Sequence, residues 1–213
     1  MPLSPEYALY AKALVGVFAI VNPLGAIPIF LSLCRDLGPA ERLRVARTSG
    51  ISVALVLIGA TWAGDAILGF FSIGIPAFRT GGGLLILIMA ISMLHARQSL
   101  TRQSPAEADA AEAKENIAVV PLAIPLMAGP GAISLVIADA HQAANWSDRL
   151  ILSAGIVAVA GAVWLVLRLA VPIGDKLGIT GLNIATRLLG LLLAAISIQM
   201  MASGLLVLFP GLG

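Results

Sequence analysis

The chain has 213 residues, of which 59% are hydrophobic and 11% are charged, and its formal net charge is +2. A soluble domain carries about 25% charged residues, so this chain has too few to cover a water-facing surface. The small net charge gives no basic surface for nucleic acid. A single cysteine excludes an intrachain disulfide and a paired-cysteine metal or redox site. The composition therefore indicates a polytopic membrane protein.

Uncharged runs between charged clusters predict six transmembrane helices, because a helix needs about 20 apolar residues to cross a bilayer. In chain order they cover residues 13–34, 48–64, 80–94, 116–138, 150–167 and 188–213. The second and third runs are short, so we expect those helices to include Asp65 or Arg79 near a membrane interface. The first run lacks a basic leader and a small-residue cleavage site, and is interpreted as a retained helix.

The Lys and Arg residues are distributed unevenly between the two sides of the predicted bundle. Ten of the 13 lie in the loops that follow the first, third and fifth helices. Cytoplasmic loops carry an excess of positive charge, so these loops are predicted to be cytoplasmic. Both termini are then periplasmic, in a multi-pass protein of the bacterial inner membrane.

A polar segment of mixed charge at residues 96–116 divides the chain into two halves with three predicted helices each, residues 1–95 and 117–213. This segment is interpreted as a solvated cytoplasmic linker. Since each half has an odd number of helices, the second half must be inverted relative to the first if the two are repeats.

Short matches indicate that the halves are repeats. GAIP in the first helix corresponds to GAIS in the fourth, and FRTGGGLL in the third corresponds to TRLLGLLL in the sixth. The second match aligns Arg79 with Arg187 and Gly82 with Gly190. Inverted repeats recur in secondary transporters, whose sites lie at the repeat interface near the midplane.

Proline, glycine and asparagine interrupt the first and fourth helices, in VNPLGAIPIF and PLMAGPGAIS. Asn22 lies ten residues after Lys12 and Gly129 lies ten residues before Asp139, so both motifs are predicted near mid-membrane. A proline lacks an N–H group and frees a carbonyl, and such backbone persists in hydrocarbon only where it is buried or lines a cavity. We therefore predict two helices broken at the same depth and facing each other.

These breaks predict a site for a small zwitterion. The N-terminal ends of the half-helices that follow each break attract a carboxylate, and the released carbonyls suit an ammonium group. The substrate-binding candidates are Asn22, Pro23, Leu24, Gly25, Gly129, Pro130, Gly131 and Ser134. The alternative interpretation is that the prolines and glycines serve only kinking and helix packing.

Three ionisable residues, Asp65, Arg79 and Arg187, are candidates for gating or ion coupling. A simpler interpretation is an ion pair between Asp65 and Arg79 that holds the second and third helices together. The glycines at 81–83 are predicted to allow close helix packing. The sequence has no Ser/His/Asp set, HExxH motif or paired intramembrane carboxylates, so neither an enzyme nor a metal or other cofactor is predicted.

Three motifs, NPLGAIPIF, GIPAFRTGGGLLI and PLAIPLMAGPGAIS, occur in this order in a chain with six predicted helices, and resemble the MarC family of integral membrane proteins. The resemblance covers nearly the whole chain. It implies a relationship to the lysine exporter superfamily and transport of small neutral amino acids such as glycine and alanine. It also implies a substrate position where the first and fourth helices are broken.

The leading hypothesis is a secondary transporter of small neutral amino acids that works by alternating access between two inverted halves. Its expected partners are a small zwitterionic substrate, the lipid bilayer and a coupling proton or sodium ion; homo-oligomer formation stays open. The alternative is a non-transporting scaffold or regulatory protein whose Pro and Gly residues serve helix packing. A channel is disfavoured because the sequence shows no polar stripe or charged ring.

Overall fold

The computed structural model of the chain describes residues 5–95, 122, 123, 126–143 and 145–212, and within these residues the helices are joined by short loops and there are no strands. The helices are α1 (Pro5–Val21), α2 (Pro23–Leu33), α3 (Pro39–Phe70), α4 (Ile75–Leu94), α5 (Pro130–Gln142), α6 (Trp146–Arg168) and α7 (Ala170–Leu208), and a 3₁₀ turn at Pro210–Leu212 follows. The predicted linker at 96–116 lies outside the described residues.

Five helical segments in the described part of the chain are long and apolar enough to cross a membrane. They are Tyr10–Leu33, Pro39–Phe70, Ile75–Leu94, Trp146–Arg168 and Ala170–Leu208. Five of the six predicted spans are thus matched. Of the fourth, the structure describes α5, which has 13 residues, and six of the residues before it.

Proline marks where several of these helices begin. Pro23, Pro39 and Pro130 are the first residues of α2, α3 and α5. The first helical position suits proline because its missing N–H would have no intrahelical partner there. In α3 the start is strengthened by Glu41, whose carboxylate accepts a hydrogen bond of 3.0 Å from the Gly38 N–H.

The two short predicted spans are extended as expected, since α3 includes Asp65 and α4 includes Arg79. The last helix contains an irregularity that the sequence analysis did not predict. Gly178 in α7 has φ of 59°, a left-handed conformation that glycine adopts at little cost. Residues 170–177 therefore form a separate helical segment before the long span.

Glycines allow close packing of α4 against α7. A Cβ atom at Gly83 would lie 2.6 Å from Met201 Cγ, and one at Gly204 would lie 2.5 Å from the Pro76 carbonyl oxygen. Small residues let helix backbones approach in this way in membranes, so the predicted packing role is confirmed for Gly83. The outward faces carry exposed leucine and isoleucine side chains, as lipid-facing surfaces do.

The end of the bundle where α1 begins is called the α1 end below. Tyr10 of α1 donates a hydrogen bond of 2.8 Å to Asp148, at the start of α6. The end of α3 and the end of α5 meet there as well, because Asp65 contacts His141. Helices α3, α5 and α7 therefore all finish at the end where α1, α4 and α6 start.

Candidate functional site

Asn22 separates α1 from α2. Its backbone is left-handed, with φ of 47° and ψ of 62°, and its side-chain Oδ1 accepts a hydrogen bond of 3.1 Å from the Gly25 N–H. Asparagine tolerates this backbone conformation better than other non-glycine residues. Pro23 follows and has no N–H to donate to the Ala19 carbonyl. The asparagine thus ends one helix and caps the next, while it is only 9% exposed.

Gly25 is required by this arrangement. A Cβ atom there would lie 2.2 Å from Asn22 Nδ2, so a larger residue would displace the capping side chain. Pro23 is buried beneath this turn, and Leu24 is partly buried against the core. The first four candidate residues therefore form the N-cap and the first turn of α2.

The start of α5 is built differently. Gly129, the residue before the helix, is extended, with φ of −78° and ψ of 178°, and no side chain caps the first turn. It is buried, whereas Pro130 at the first helical position is exposed. Before it, the Ala128 N–H donates to the Ala123 carbonyl at 2.8 Å. The first-turn N–H groups of α5 have no intrahelical acceptors, and here they also lack a side-chain cap.

The end of α1 and the start of α5 lie against each other. A Cβ atom at Gly131 would lie 3.0 Å from Ile20 Cδ1, and one at Gly16 would lie 3.3 Å from Leu135 Cδ2. Four residues back along α1 thus correspond to four residues forward along α5, so the helices are antiparallel. Continuing this register by two residues brings Asn22 level with Gly129.

Helix α4 forms the third wall of this region. A Cβ atom at Gly131 would lie 2.6 Å from Met89 Sδ, and one at Gly82 would lie 2.7 Å from Ser134 Cβ. Ser134, one turn beyond Gly131, is 6% exposed. Met89 was missed by the sequence analysis, because a methionine in an apolar span carries no polar signal.

Asp65 and Arg79 do not pair with each other. The Asp65 carboxylate accepts a hydrogen bond from Arg149 and lies 3.1 Å from His141 Nδ1. Arg79 instead donates to the Ala138 carbonyl at 3.3 Å. The predicted pair between α3 and α4 is therefore wrong, and Asp65 links α3 to α5 and α6 at the α1 end.

Arg187 is exposed on α7, and no described carboxylate lies within 4 Å of it. It is not part of the cluster that Asp65 forms with His141 and Arg149. Within the described ranges, no group of three or more His, Cys, Asp or Glu side chains is placed to hold a metal ion.

Comparison with known proteins gives a consistent result. A sequence profile described as "MarC family integral membrane protein" matches residues 7–209. UPF0056 membrane protein YhcE of Escherichia coli is 38% identical over 97% of this chain and 96% of its own length. UPF0056 membrane protein YvbG of Bacillus subtilis is 35% identical over 96% of this chain and 97% of its own length. No solved structure gives a significant match.

Proposed function

We propose that this chain, which belongs to the MarC family of integral membrane proteins, is a secondary transporter of small neutral amino acids such as glycine and alanine. The observation that carries the proposal is the pair of helix starts at Asn22 and Gly129, buried and level with each other between α1, α4 and α5. A soluble enzyme site would be built from charged and catalytic side chains; this one is built from interrupted backbone.

The recognition chemistry suits a zwitterion of low net charge. The uncapped first turn of α5 offers backbone N–H groups and the positive end of a helix dipole to a carboxylate. Pro23 leaves the Ala19 carbonyl without its usual donor, and carbonyl oxygens attract an ammonium group. Ser134 and the Asn22 amide add hydrogen-bonding groups from either side.

The proposed mechanism is alternating access between two inverted halves, with both interruptions at mid-membrane. The packing of α4 against α7 supports the inversion. Gly82 of α4 lies against Met200 of α7, and Gly190 of α7 lies against Met93 of α4. Gly82 and Gly190 are aligned by the sequence repeat, and a twofold axis in the membrane plane would relate the two contacts to within one residue along the chain.

In this proposal the α1 end faces the periplasm of a bacterial inner membrane, as the distribution of Lys and Arg predicts. Asp65 with Arg149 and His141 would then form a contact that closes the periplasmic side. Arg79 holds α4 to α5 near the same side. Asp65 is the candidate for coupling transport to a proton, and Arg187 is the corresponding candidate for a contact on the cytoplasmic side.

The experiment is counterflow of labelled glycine into proteoliposomes of the purified full chain, preloaded with unlabelled glycine or alanine. Imposed proton and sodium gradients identify the coupling ion, and protein-free liposomes give the background. We expect exchange above background that unlabelled alanine competes away. If neither amino acid moves under any gradient, this substrate class is wrong, and a scaffold whose Pro and Gly residues serve packing becomes the better interpretation.

A further inference from the structure

A cavity of about 120 Å³ opens at the α1 end of the bundle, between α1, α5, α6 and α7. Its lining includes Lys12 and Gly16 of α1, Asp139 of α5 and Leu152 of α6. Asp139 lies eight residues beyond Gly131 along α5, or about 12 Å at 1.5 Å per residue. The cavity is therefore separate from the interruptions but lies on the same side of the same two helices.

Asp139, which lines this cavity, has one carboxylate oxygen with no partner among the described residues. Asp139 Oδ2 is buried, and none of the described residues donates a hydrogen bond to it. Leaving a buried carboxylate oxygen without a donor is unfavourable. The nearest described arginine contact is made by Arg79, which donates to the neighbouring Ala138 carbonyl rather than to this oxygen. A cation bound in the cavity beside this carboxylate would offset that cost.

Lys12 is the complementary group. It lines the same cavity, and no carboxylate in the described part of the chain lies within 4 Å of its ammonium. The second acidic residue of the lining, Asp148, is engaged in the fold, since it accepts hydrogen bonds from the Tyr10 hydroxyl and the Asn145 N–H. The cavity is thus lined by an amine and a carboxyl group, Lys12 and Asp139, that form no ion pair within 4 Å of each other.

We infer that this cavity is an entry site for a small zwitterionic amino acid, with the substrate carboxylate at Lys12 and its ammonium at Asp139. The identity of the ligand rests on the proposed transport function. A volume of about 120 Å³ is far above the roughly 10–15 Å³ that a cavity needs to hold one water molecule, so a ligand of several heavy atoms fits. The walls near Lys12 are Ala13 and Gly16, which suits a ligand with a short side chain.

The test measures the binding of glycine or alanine at the cavity through the labelling of an introduced cysteine. Gln142 is an exposed residue of the cavity lining, so Gln142→Cys in a Cys34→Ala background places a thiol at its mouth. The rate of labelling by a membrane-impermeant maleimide is measured in proteoliposomes, with and without glycine or alanine. The matched control is Ser147→Cys, an exposed residue at the same end that is not part of the lining.

We expect saturating glycine or alanine to slow the labelling of Gln142→Cys at least fivefold, and that of Ser147→Cys not at all. Acetate and glycinamide, which carry only one of the two charged groups, should give no protection at the same concentration. Adding Asp139→Asn or Lys12→Gln should raise the glycine concentration that gives half-maximal protection at least tenfold. Lys12 is exposed, so its variant tests the inference even where Asp139→Asn fails to fold.

Equal labelling rates with and without glycine would overturn the entry site, and retained protection in the Lys12→Gln variant would overturn its proposed chemistry. Counterflow in the same proteoliposomes separates this inference from the proposed function. Transport without protection removes the entry site only. Protection without transport leaves the binding site and removes the transport function.

Discussion

The two helix starts in the candidate site differ in how their backbone is satisfied. At Asn22 the chain turns through a left-handed residue, and the asparagine side chain accepts a hydrogen bond from the first turn of α2. At Gly129 the chain is extended, and no side chain caps α5. The same need, to start a helix in the interior of a membrane protein, is met once with an internal cap and once without one.

This difference assigns different roles to the two sides of the proposed site. The Gly25 N–H is already bonded to Asn22, so the positive end of α2 has less to offer an anion. The first turn of α5 keeps its N–H groups available. In the proposed transporter, therefore, the substrate carboxylate lies at α5 and its ammonium lies at the carbonyls that end α1.

The largest effect should come from placing a large side chain at Gly131, in the first turn of α5. In Gly131→Leu a Cβ atom would lie 2.6 Å from Met89 Sδ and 3.0 Å from Ile20 Cδ1, so the leucine would push α5 away from α4 and α1. Overpacking of this kind costs about 1–3 kcal/mol. We expect glycine counterflow to fall at least 100-fold, while thermal unfolding in detergent shifts by only a few degrees.

The matched control is Gly161→Leu on α6, where a Cβ atom would meet nothing within 4 Å. It should leave transport unchanged and leave the unfolding temperature unchanged or slightly raised, because leucine is a better helix former than glycine. A Gly131→Leu protein that folds and transports at the normal rate would contradict the position of the site. If transport falls only in proportion to the loss of folded protein, the scaffold interpretation is favoured instead.

The second prediction concerns the capped turn. Asn22→Ala removes the cap, which costs about 1 kcal/mol, and it forces alanine into a left-handed conformation, which costs about 1–2 kcal/mol more. Asn22→Gly removes the same cap but relieves the conformational cost. We expect the alanine variant to be less stable than the glycine variant by at least 1 kcal/mol in denaturant unfolding. Equal stabilities would show that this backbone conformation is not kept in the membrane.

Much of the fold could be predicted from the sequence because the lipid bilayer strongly limits which backbone structures can span it. A chain with long uncharged runs must be helical in a bilayer, and α3 and α4 do extend to Asp65 and Arg79. Helix α2 also begins within the predicted interruption, at Pro23. These features depend on local sequence alone, on composition and on a missing N–H.

The partners of Asp65 could not be predicted in the same way. Arg79 was the nearest candidate along the chain, but the carboxylate contacts Arg149 and His141, which lie 84 and 76 residues away. Such pairs depend on how the helices pack against each other, and the local sequence pattern does not indicate this. The unequal capping of α2 and α5 was missed for a related reason, since both motifs contain Pro and Gly and only backbone geometry separates them.

One missed feature could have been found. Lys12 and Asp139 were used only to mark the ends of apolar runs, yet each lies ten residues from its interruption. On antiparallel helices, equal spacing from two level points places two residues at the same depth. The lining of one cavity by both residues follows from that spacing.

The third prediction separates the cap from the glycine beside it. A Cβ atom at Gly25 would lie 2.2 Å from Asn22 Nδ2, so Gly25→Ala should break the cap, which costs about 1 kcal/mol that the better helix propensity of alanine only partly offsets. In the Asn22→Gly background the obstacle is gone, and alanine is the better helix former by about 0.5–1 kcal/mol. We therefore expect Gly25→Ala to change sign in a double-mutant cycle of unfolding free energies. Equal effects in both backgrounds would contradict this contact.

The smallest effect should come from the exposed proline of the uncapped turn. Pro130 occupies the first position of α5, where the N–H that alanine would restore has no intrahelical acceptor. Pro130→Ala should therefore change the unfolding free energy by less than about 0.5 kcal/mol. Pro23 occupies the corresponding position of α2, but its ring is buried. Pro23→Ala should therefore lower the unfolding free energy more than Pro130→Ala does. Equal costs at the two sites, measured by denaturant unfolding, would mean that the two helix starts are packed alike, and the division of roles between them would then have to rest on capping alone.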